Sequence, residues 1–282
     1  MALIPSMWTA MFSKAAPDEA LEILGEQGWR AVEVSTEHAD ILREDEALLE
    51  PFAAAAEKYQ IALEQMHAYI QADVACLDAA RRERDMEAVI GDLKSCSRLG
   101  IPVAVIHPGG HTDTSHEDAT QVNRQRLESF ARLAAVCDDV GVKLAVENTT
   151  DRPPGDQRRR RRYGAMLEEV LQLCEVAPEL LGVCLDTSHA NIQGLDIPQA
   201  IRQCGDRLWA VHISDNYGLQ DDHLIPGYGV IEWGPVVAAL REINYDRPFN
   251  LEVPGACRGD RSLLALRSRH GLEVCRQLLD EG

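Results

Sequence analysis

No stretch of this sequence approaches the roughly 20 consecutive apolar residues of a membrane-spanning helix, so no segment reads as one. The opening MALIPSMWTAMF lacks a basic start and a small-residue cleavage site, so it does not read as a secretory leader. No Cys-x-x-Cys pair occurs, and the eight cysteines are scattered singly. That usage predicts reduced core thiols in a cytoplasmic protein. Positive charge is also scarce: 28 Lys and Arg stand against 46 Asp and Glu, for a formal net charge of -18. Such a surface repels nucleic-acid backbones and anionic membranes, so neither is expected as a partner. It says little against a small substrate, which senses only the local field of its pocket. Finally, the Gly-x-Gly-x-x-Gly turn of a dinucleotide-binding sheet is missing after the first strand-like run.

What is present is an alternation. Eight short β-like runs follow one another: LIPSMW from Leu3, AVEVS from Ala31, IALEQMHAY from Ile61, PVAVIHP from Pro102, KLAVENT from Lys143, GVCLDTS from Gly182, LWAVHIS from Leu208 and FNLEVP from Phe249. Most are rich in Val, Ile and Leu without clean alternation, the pattern of parallel strands buried on both faces. Helical patterns lie between them. PDEALEILGEQG opens with Pro17 and acids in its first turn and closes at Gly28. Two longer patterns close at Gly100 and Gly141, and others start at Trp233 and Asp260, the last with an expected interruption at Gly271. The spacing predicts a single-domain (β/α)8 TIM barrel over residues 1–282, with a doubly wound sheet as the alternative. One segment breaks the rhythm: Asp151 to Gly164 includes five consecutive arginines, Arg158 to Arg162. It reads either as a solvated, mobile loop or as a cationic lid over an anionic substrate.

The chemistry gathers at the strand ends. The fifth run ends in Glu147, the sixth in Asp186, the seventh carries His212 and the eighth ends in Glu252. In a (β/α)8 barrel these four ends are neighbours on the rim where active sites lie. Three carboxylates and an imidazole would repel one another there without a cation. The donor set suits one divalent metal ion, Mn, Mg or Co, and tolerates Zn. His67, His107, His189 and His223 stand at or beyond other strand ends, with Asp215, Asp221 and Asp222 in the seventh loop and Glu33 inside the second run. Each reads as a partner orienting a ligand, a substrate contact, or a ligand to a further metal. Trp8 and Trp233 are candidate apolar walls. His38, His111, His116 and His270 lie in polar contexts and are expected to be exposed.

The set VEVS, IHPGG, AVENT, CLDTSH, VHISDN, DDHLIPGYGVIEW and LEVPG resembles the sugar isomerase/epimerase superfamily with its xylose-isomerase-like barrel, from about Leu3 to Pro254. The resemblance implies a metal held by Glu147, Asp186, His212 and Glu252, with Glu147 and Glu252 doubling as the acid/base pair. It implies a substrate contact for His189. AP endonucleases of the same superfamily use three zinc ions, and their extra ligands would correspond to His67, His107, His189, Asp221 and His223. Keto-sugar 3-epimerases place an arginine just after the seventh-strand histidine motif, where this chain has Asp215, Asn216 and Tyr217. The expected function is therefore a divalent-metal-dependent sugar or sugar-phosphate isomerase or epimerase. It would abstract a proton next to a carbonyl through a metal-stabilised enediolate. An inosose-type dehydratase on the same site is the alternative, and an AP-endonuclease-like phosphodiesterase a weaker one. His189, His107, His67, His223 and Trp233 are the expected substrate-binding residues. The expected partner is a small sugar, and the reading leaves room for a homo-oligomer.

Overall fold

The structure is a computed structural model of the chain, and it describes residues 3–110, 116–151, 161–255 and 260–281. Eight parallel strands close into a barrel in sequence order: β1 (Pro5–Trp8), β2 (Ala31–Val34), β3 (Ala62–His67), β4 (Val103–Ile106), β5 (Lys143–Glu147), β6 (Leu181–Asp186), β7 (Leu208–Ile213) and β8 (Phe249–Leu251). Each predicted run supplies one of them. Around the barrel lie α1 (Pro17–Gln27), α2 (Thr36–Glu44), α3 (Leu49–Tyr59), α4 (Ala79–Leu99), α5 (His116–Val140), α6 (Leu167–Cys174), α7 (Thr187–Gln193), α8 (Ile197–Cys204), α9 (Trp233–Glu242) and α10 (Arg261–Glu281). Two helices, α2 and α3, fill the β2–β3 connection. Gly28 and Gly100 end α1 and α4 in left-handed conformations, at φ 99° and 71°.

Strand side chains alternate between two faces, and in the barrel the two faces see different worlds. Ala104, Ile106, Leu144, Val146, Val183, Leu185 and Val211 pack outward into the apolar layer shared with the helices. Val103, Val105, Ala145, Cys184 and Ala210 form a separate cluster in the bore with Trp209. A Cβ on Gly182 would lie 2.2 Å from Trp209 Cδ2, so only glycine leaves room for that indole. Every residue two places further along a bore position also faces inward. That places His107 above Val105, Glu147 above Ala145, Asp186 above Cys184 and His212 above Ala210. The same register puts His67 above Gln65, Glu252 above Asn250 and Trp8 above Ser6. On β4 to β7 the bore residues just below are small (Val105, Ala145, Cys184 and Ala210) and those above are polar, while on β1, β3 and β8 the lower residues Ser6, Gln65 and Asn250 are themselves polar.

Two expectations are corrected. Helix α10 runs unbroken through Gly271. A Cβ there would sit 3.6 Å from Met7 Cε, so the glycine lies against the barrel, and packing offsets its cost of about 1 kcal/mol in a helix. His38 is buried and not exposed: its Nδ1 lies 2.8 Å from Thr9 Oγ1, and its other nitrogen lies 3.3 Å from the Ala15 carbonyl. Burial lowers its pKa, which keeps it neutral in the role of a loop anchor. His270 is exposed as expected, while the side chains of His111 and His116 lie outside the described residues. So do Arg158 to Arg160; Arg161 is described and pairs with Glu169. The seven described cysteines are buried and free. Among the described residues no helix is long and apolar enough to cross a membrane.

Candidate functional site

The four strand-end residues meet in the bore. One ligand atom from each of Glu147, Asp186, His212 and Glu252 lies within 4.8 Å of the others, and all four side chains are buried. His212 Nδ1 stands 3.3 Å from Glu252 Oε2 and 3.4 Å from Glu147 Oε1. In a second group, His67, His107 and Glu147, one ligand atom from each likewise lies within 4.8 Å of the others. Glu147 is common to both: its Oε2 lies 3.3 Å from His67 Nε2 and 3.2 Å from His107 Nε2. On the other flank, Asp221 Oδ2 lies 3.2 Å from His189 Nε2 and 3.0 Å from His223 Nε2.

Local structure aims these groups. Asp186 caps α7: its Oδ1 accepts the His189 backbone N–H at 2.6 Å, which leaves Oδ2 for the cluster. Asn148 pairs with the Asp186 backbone like a strand, its Oδ1 accepting from the Asp186 N–H at 2.7 Å and its Nδ2 donating to the Asp186 carbonyl at 3.1 Å. Thr187 Oγ1 donates to the Ser214 carbonyl at 2.7 Å and accepts from the Ser214 N–H at 3.0 Å, tying the ends of β6 and β7 together. A carbonyl only accepts, so a ring nitrogen facing one must carry the hydrogen. His67 Nδ1 faces the Ala68 carbonyl at 2.8 Å, and His223 Nδ1 faces the Glu252 carbonyl at 2.8 Å. Their Nε2 atoms are thereby turned toward the carboxylates. His223 adopts φ 46°, a left-handed conformation that costs a non-glycine residue about 1 kcal/mol or more.

Several buried polar atoms have no hydrogen-bond partner: His67 Nε2, Glu147 Oε2, Asp186 Oδ2, His212 Nδ1, Asp221 Oδ1 and Glu252 Oε2. Folded proteins rarely leave such atoms unmatched, and these belong to one constellation. Three carboxylates and an imidazole with unspent lone pairs fit a divalent cation. Opposite charges hold these groups against one another. Burial alone would depress His67, but the Glu147 carboxylate raises it to about 9. His223 also resists burial, raised to about 10 by Glu252 and Asp221. Burial would raise Glu252, yet His212 and His223 bring it down to about 2. The negative charge of Glu252 and Glu147 adds to burial in pushing Asp186 well above its ordinary value.

The remaining expectations fall into place around this cluster. His189 is within reach of Glu147 Oε1, at 3.3 Å from its Nδ1. Trp233 heads α9 in the apolar layer, and its indole N–H donates to Asp215 Oδ2 at 3.0 Å. Trp8 ends β1, buried, with its indole nitrogen unpartnered.

A profile of the xylose isomerase-like TIM barrel family matches residues 21–278. The chain belongs to that family. The resemblance read from LDTSHA and HLIPGYGVIEW holds at this level. Among curated relatives, Uncharacterized protein y4fM of Sinorhizobium fredii is 29% identical over 181 residues, covering 62% of this chain and 54% of that protein. The match therefore spans about half the length of that relative. Probable endonuclease 4 of Thermoplasma acidophilum is 27% identical over 244 residues, covering 82% of this chain and 80% of that one. Among solved structures, D-psicose 3-epimerase with D-tagatose from Clostridium cellulolyticum H10 has a TM-score of 0.81 at 20% identity, covering 98% of this chain and 99% of that one. At that identity the likeness is one of fold.

Sequence reasoning did not single out Asn148 or Thr187, and it left the task of Asp215 open. The signal for the first two was in AVENT and LDTSH, where a short polar residue adjoins each proposed ligand. A side chain that bonds a neighbouring strand's backbone has no period in sequence, so its partner cannot be read there.

Proposed function

We propose that this family member is a divalent-metal-dependent isomerase or epimerase of a sugar or sugar phosphate, with Glu147 and Glu252 as its acid/base pair. The observation that carries the reading is the pair of buried glutamates, one ending β5 and the other just past β8, both in contact with His212 and both with an unpartnered oxygen. Glu147, Asp186, His212 and Glu252 would hold the metal. A bound dication, Mn²⁺, Mg²⁺ or Co²⁺ from the donor set, would neutralise the negative charge that develops as a proton leaves carbon next to a carbonyl. Glu147 or Glu252 takes that proton at a carboxylate oxygen, and the other returns one. Return to another carbon isomerises the sugar, and return to the opposite face of the same carbon epimerises it. Loss of a neighbouring hydroxyl would make the product a dehydrated sugar. His189, His107 and His223, at the partly exposed mouth, are placed to hold substrate hydroxyls. The fold likeness to a keto-sugar epimerase agrees with this reading. The test is incubation of the Mn²⁺-loaded protein with keto-sugars and their phosphates in D₂O. Deuterium entering the carbon next to the carbonyl is expected, and its absence from every substrate rejects the proposal.

One observation favours a second reading. The His67–His107–Glu147 group and the His189–Asp221–His223 group supply more ligands than one ion uses. A multinuclear phosphodiesterase would use them all, and the Thermoplasma relative bears an endonuclease name. Metal analysis separates the two. About one ion per chain with proton exchange supports the sugar enzyme, and three with cleavage of abasic DNA support the phosphodiesterase.

A further inference from the structure

Below the metal ligands, where a barrel of this kind is normally filled with apolar side chains, lies a buried carboxylate. Glu33, in the middle of β2, is fully buried. Three donors converge on its Oε2: Gln65 Nε2 from β3, Asn250 Nδ2 from β8 at 2.6 Å, and His212 Nε2 from β7 at 3.0 Å. The same His212 nitrogen lies 3.1 Å from Glu33 Oε1. Ser6 Oγ of β1 donates to Asn250 Oδ1 at 2.9 Å, which fixes the amide so that its NH₂ points at Glu33. Side chains from β3, β7 and β8 thus meet on this β2 carboxylate, with β1 behind Asn250, and the described residues place no Lys or Arg in an ion pair with it.

A buried carboxylate is costly, and replacing a whole buried charged cluster with well-packed apolar side chains commonly leaves a fold as stable or more so. Stability alone does not explain Glu33. What it does uniquely is hold one end of the His212 ring. A carboxylate flanked by amide donors accepts, so His212 carries its hydrogen on Nε2. Its other nitrogen, Nδ1, is buried without a hydrogen-bond partner and turned to Glu147 and Glu252. We propose that Glu33 is a positioning residue that fixes the ring orientation and tautomer of His212, presenting the Nδ1 lone pair to a divalent metal. The inference rests on the reading of Glu147, Asp186, His212 and Glu252 as a metal site. An isosteric amide cannot replace Glu33. Whichever way the new side chain turned, its NH₂ would face at least one of the donors Gln65, Asn250 and His212.

The test is a Co²⁺ titration of chelator-stripped protein, read by visible absorption and calorimetry, with thermal unfolding of the metal-free form. Glu33→Gln is expected to weaken Co²⁺ binding about 10- to 100-fold and to change the cobalt spectrum. The metal-free protein should stay folded with a somewhat lower unfolding midpoint, because the new NH₂ faces a buried donor. ¹⁵N NMR of the Zn²⁺-loaded wild type should show His212 protonated at Nε2. If Glu33→Gln does not fold, the exchange Glu33→Gln/Gln65→Glu keeps one acid and one amide in the bore. Its affinity should remain reduced, because the acid no longer touches His212. Wild-type affinity and spectrum in Glu33→Gln, restored affinity in the exchange variant, or a proton on Nδ1 of His212 would each overturn the proposal while leaving the metal site standing. A wild type that binds no Co²⁺ would remove the metal reading and this inference together.

Discussion

The indole N–H of Trp233 donates to Asp215 Oδ2 at 3.0 Å, and that bond joins the first turn of α9 to the residue from which the whole β7–α9 loop hangs. Asp215 Oδ2 also accepts the Gly227 N–H at 2.9 Å, while Oδ1 accepts those of Asn216 at 2.9 Å and Ile231 at 3.1 Å. Its backbone exchanges two hydrogen bonds with Leu224, each 2.8 Å. Asp221 and His223 ride on this loop. Trp233, expected to line a substrate wall, has its polar atom committed to that anchorage.

Asp215→Asn should therefore damage both stability and the site. Both oxygens accept, so an amide NH₂ must confront two donors in either orientation. The expected cost is about 1–3 kcal/mol, that of buried polar groups left unmatched, seen in chemical denaturation. Trp233→Phe removes a single bond and should cost less. Gly229→Ala should behave like Asp215→Asn, since its Cβ would lie 2.3 Å from both Asp215 Oδ1 and the Asn216 carbonyl.

On the proposed metal reading, removing Asp186 or His212 should empty the site. Asp186→Ala and His212→Ala are expected to abolish metal binding measured by calorimetry and to leave the barrel folded by circular dichroism. Asp186→Ala should also lose about 1 kcal/mol of stability, because it deletes the cap of α7. Either variant retaining full metal occupancy would remove these residues from the ligand set.

Glu147→Gln and Glu252→Gln keep shape and one ligating oxygen, so some metal should remain bound. Each should lose roughly 10²- to 10⁴-fold in rate, the worth of a positioned proton-transfer group. If the two serve opposite faces, one variant should still exchange the substrate proton with D₂O without completing turnover, and the other should not. NMR started from each side of the reaction distinguishes them. Two variants with wild-type rates would reduce both glutamates to ligands.

The metal-free protein should lose stability as the solution turns alkaline. His67 and His223, raised to about 9 and about 10, contribute stability that is complete below the ordinary histidine value and fades as pH rises through those figures. Glu252, lowered to about 2, contributes above the ordinary glutamate value and fails only as pH falls toward 2. Between pH 7 and 10 the unfolding midpoint of metal-free wild type should fall more steeply than that of His67→Gln/His223→Gln. Metal should release protons as it binds and flatten the slope. Parallel slopes in the two proteins would contradict this account.

The barrel was legible because its evidence is periodic. Eight apolar runs with helix patterns between them point to a parallel barrel or a doubly wound sheet, and the closed strand order and the family match decide for the barrel. The four strand-end residues were legible for the same reason: a parallel barrel brings its strand ends to one rim, so Glu147, Asp186, His212 and Glu252 needed no local motif. Other matters depended on atoms far apart in sequence. Gly271 looked like a helix break, because a glycine's local cost is visible and the barrel wall it packs on is not. His38 looked exposed because its neighbours are polar, though its hydrogen-bond partners are Thr9 and Ala15. Trp233 and Asp215 were both in view, but their bond depended on how the loop closes. Glu33 was a charge inside an apolar strand; only closure of the barrel set Gln65, Asn250 and His212 around it. Sequence alone determined which polar residues stand at the strand ends, because the boundary of an apolar run is a local property of the chain. Tertiary structure decided which of them touch, because hydrogen bonds and ion pairs act over about 3 Å and the chain brings their partners together only when it folds.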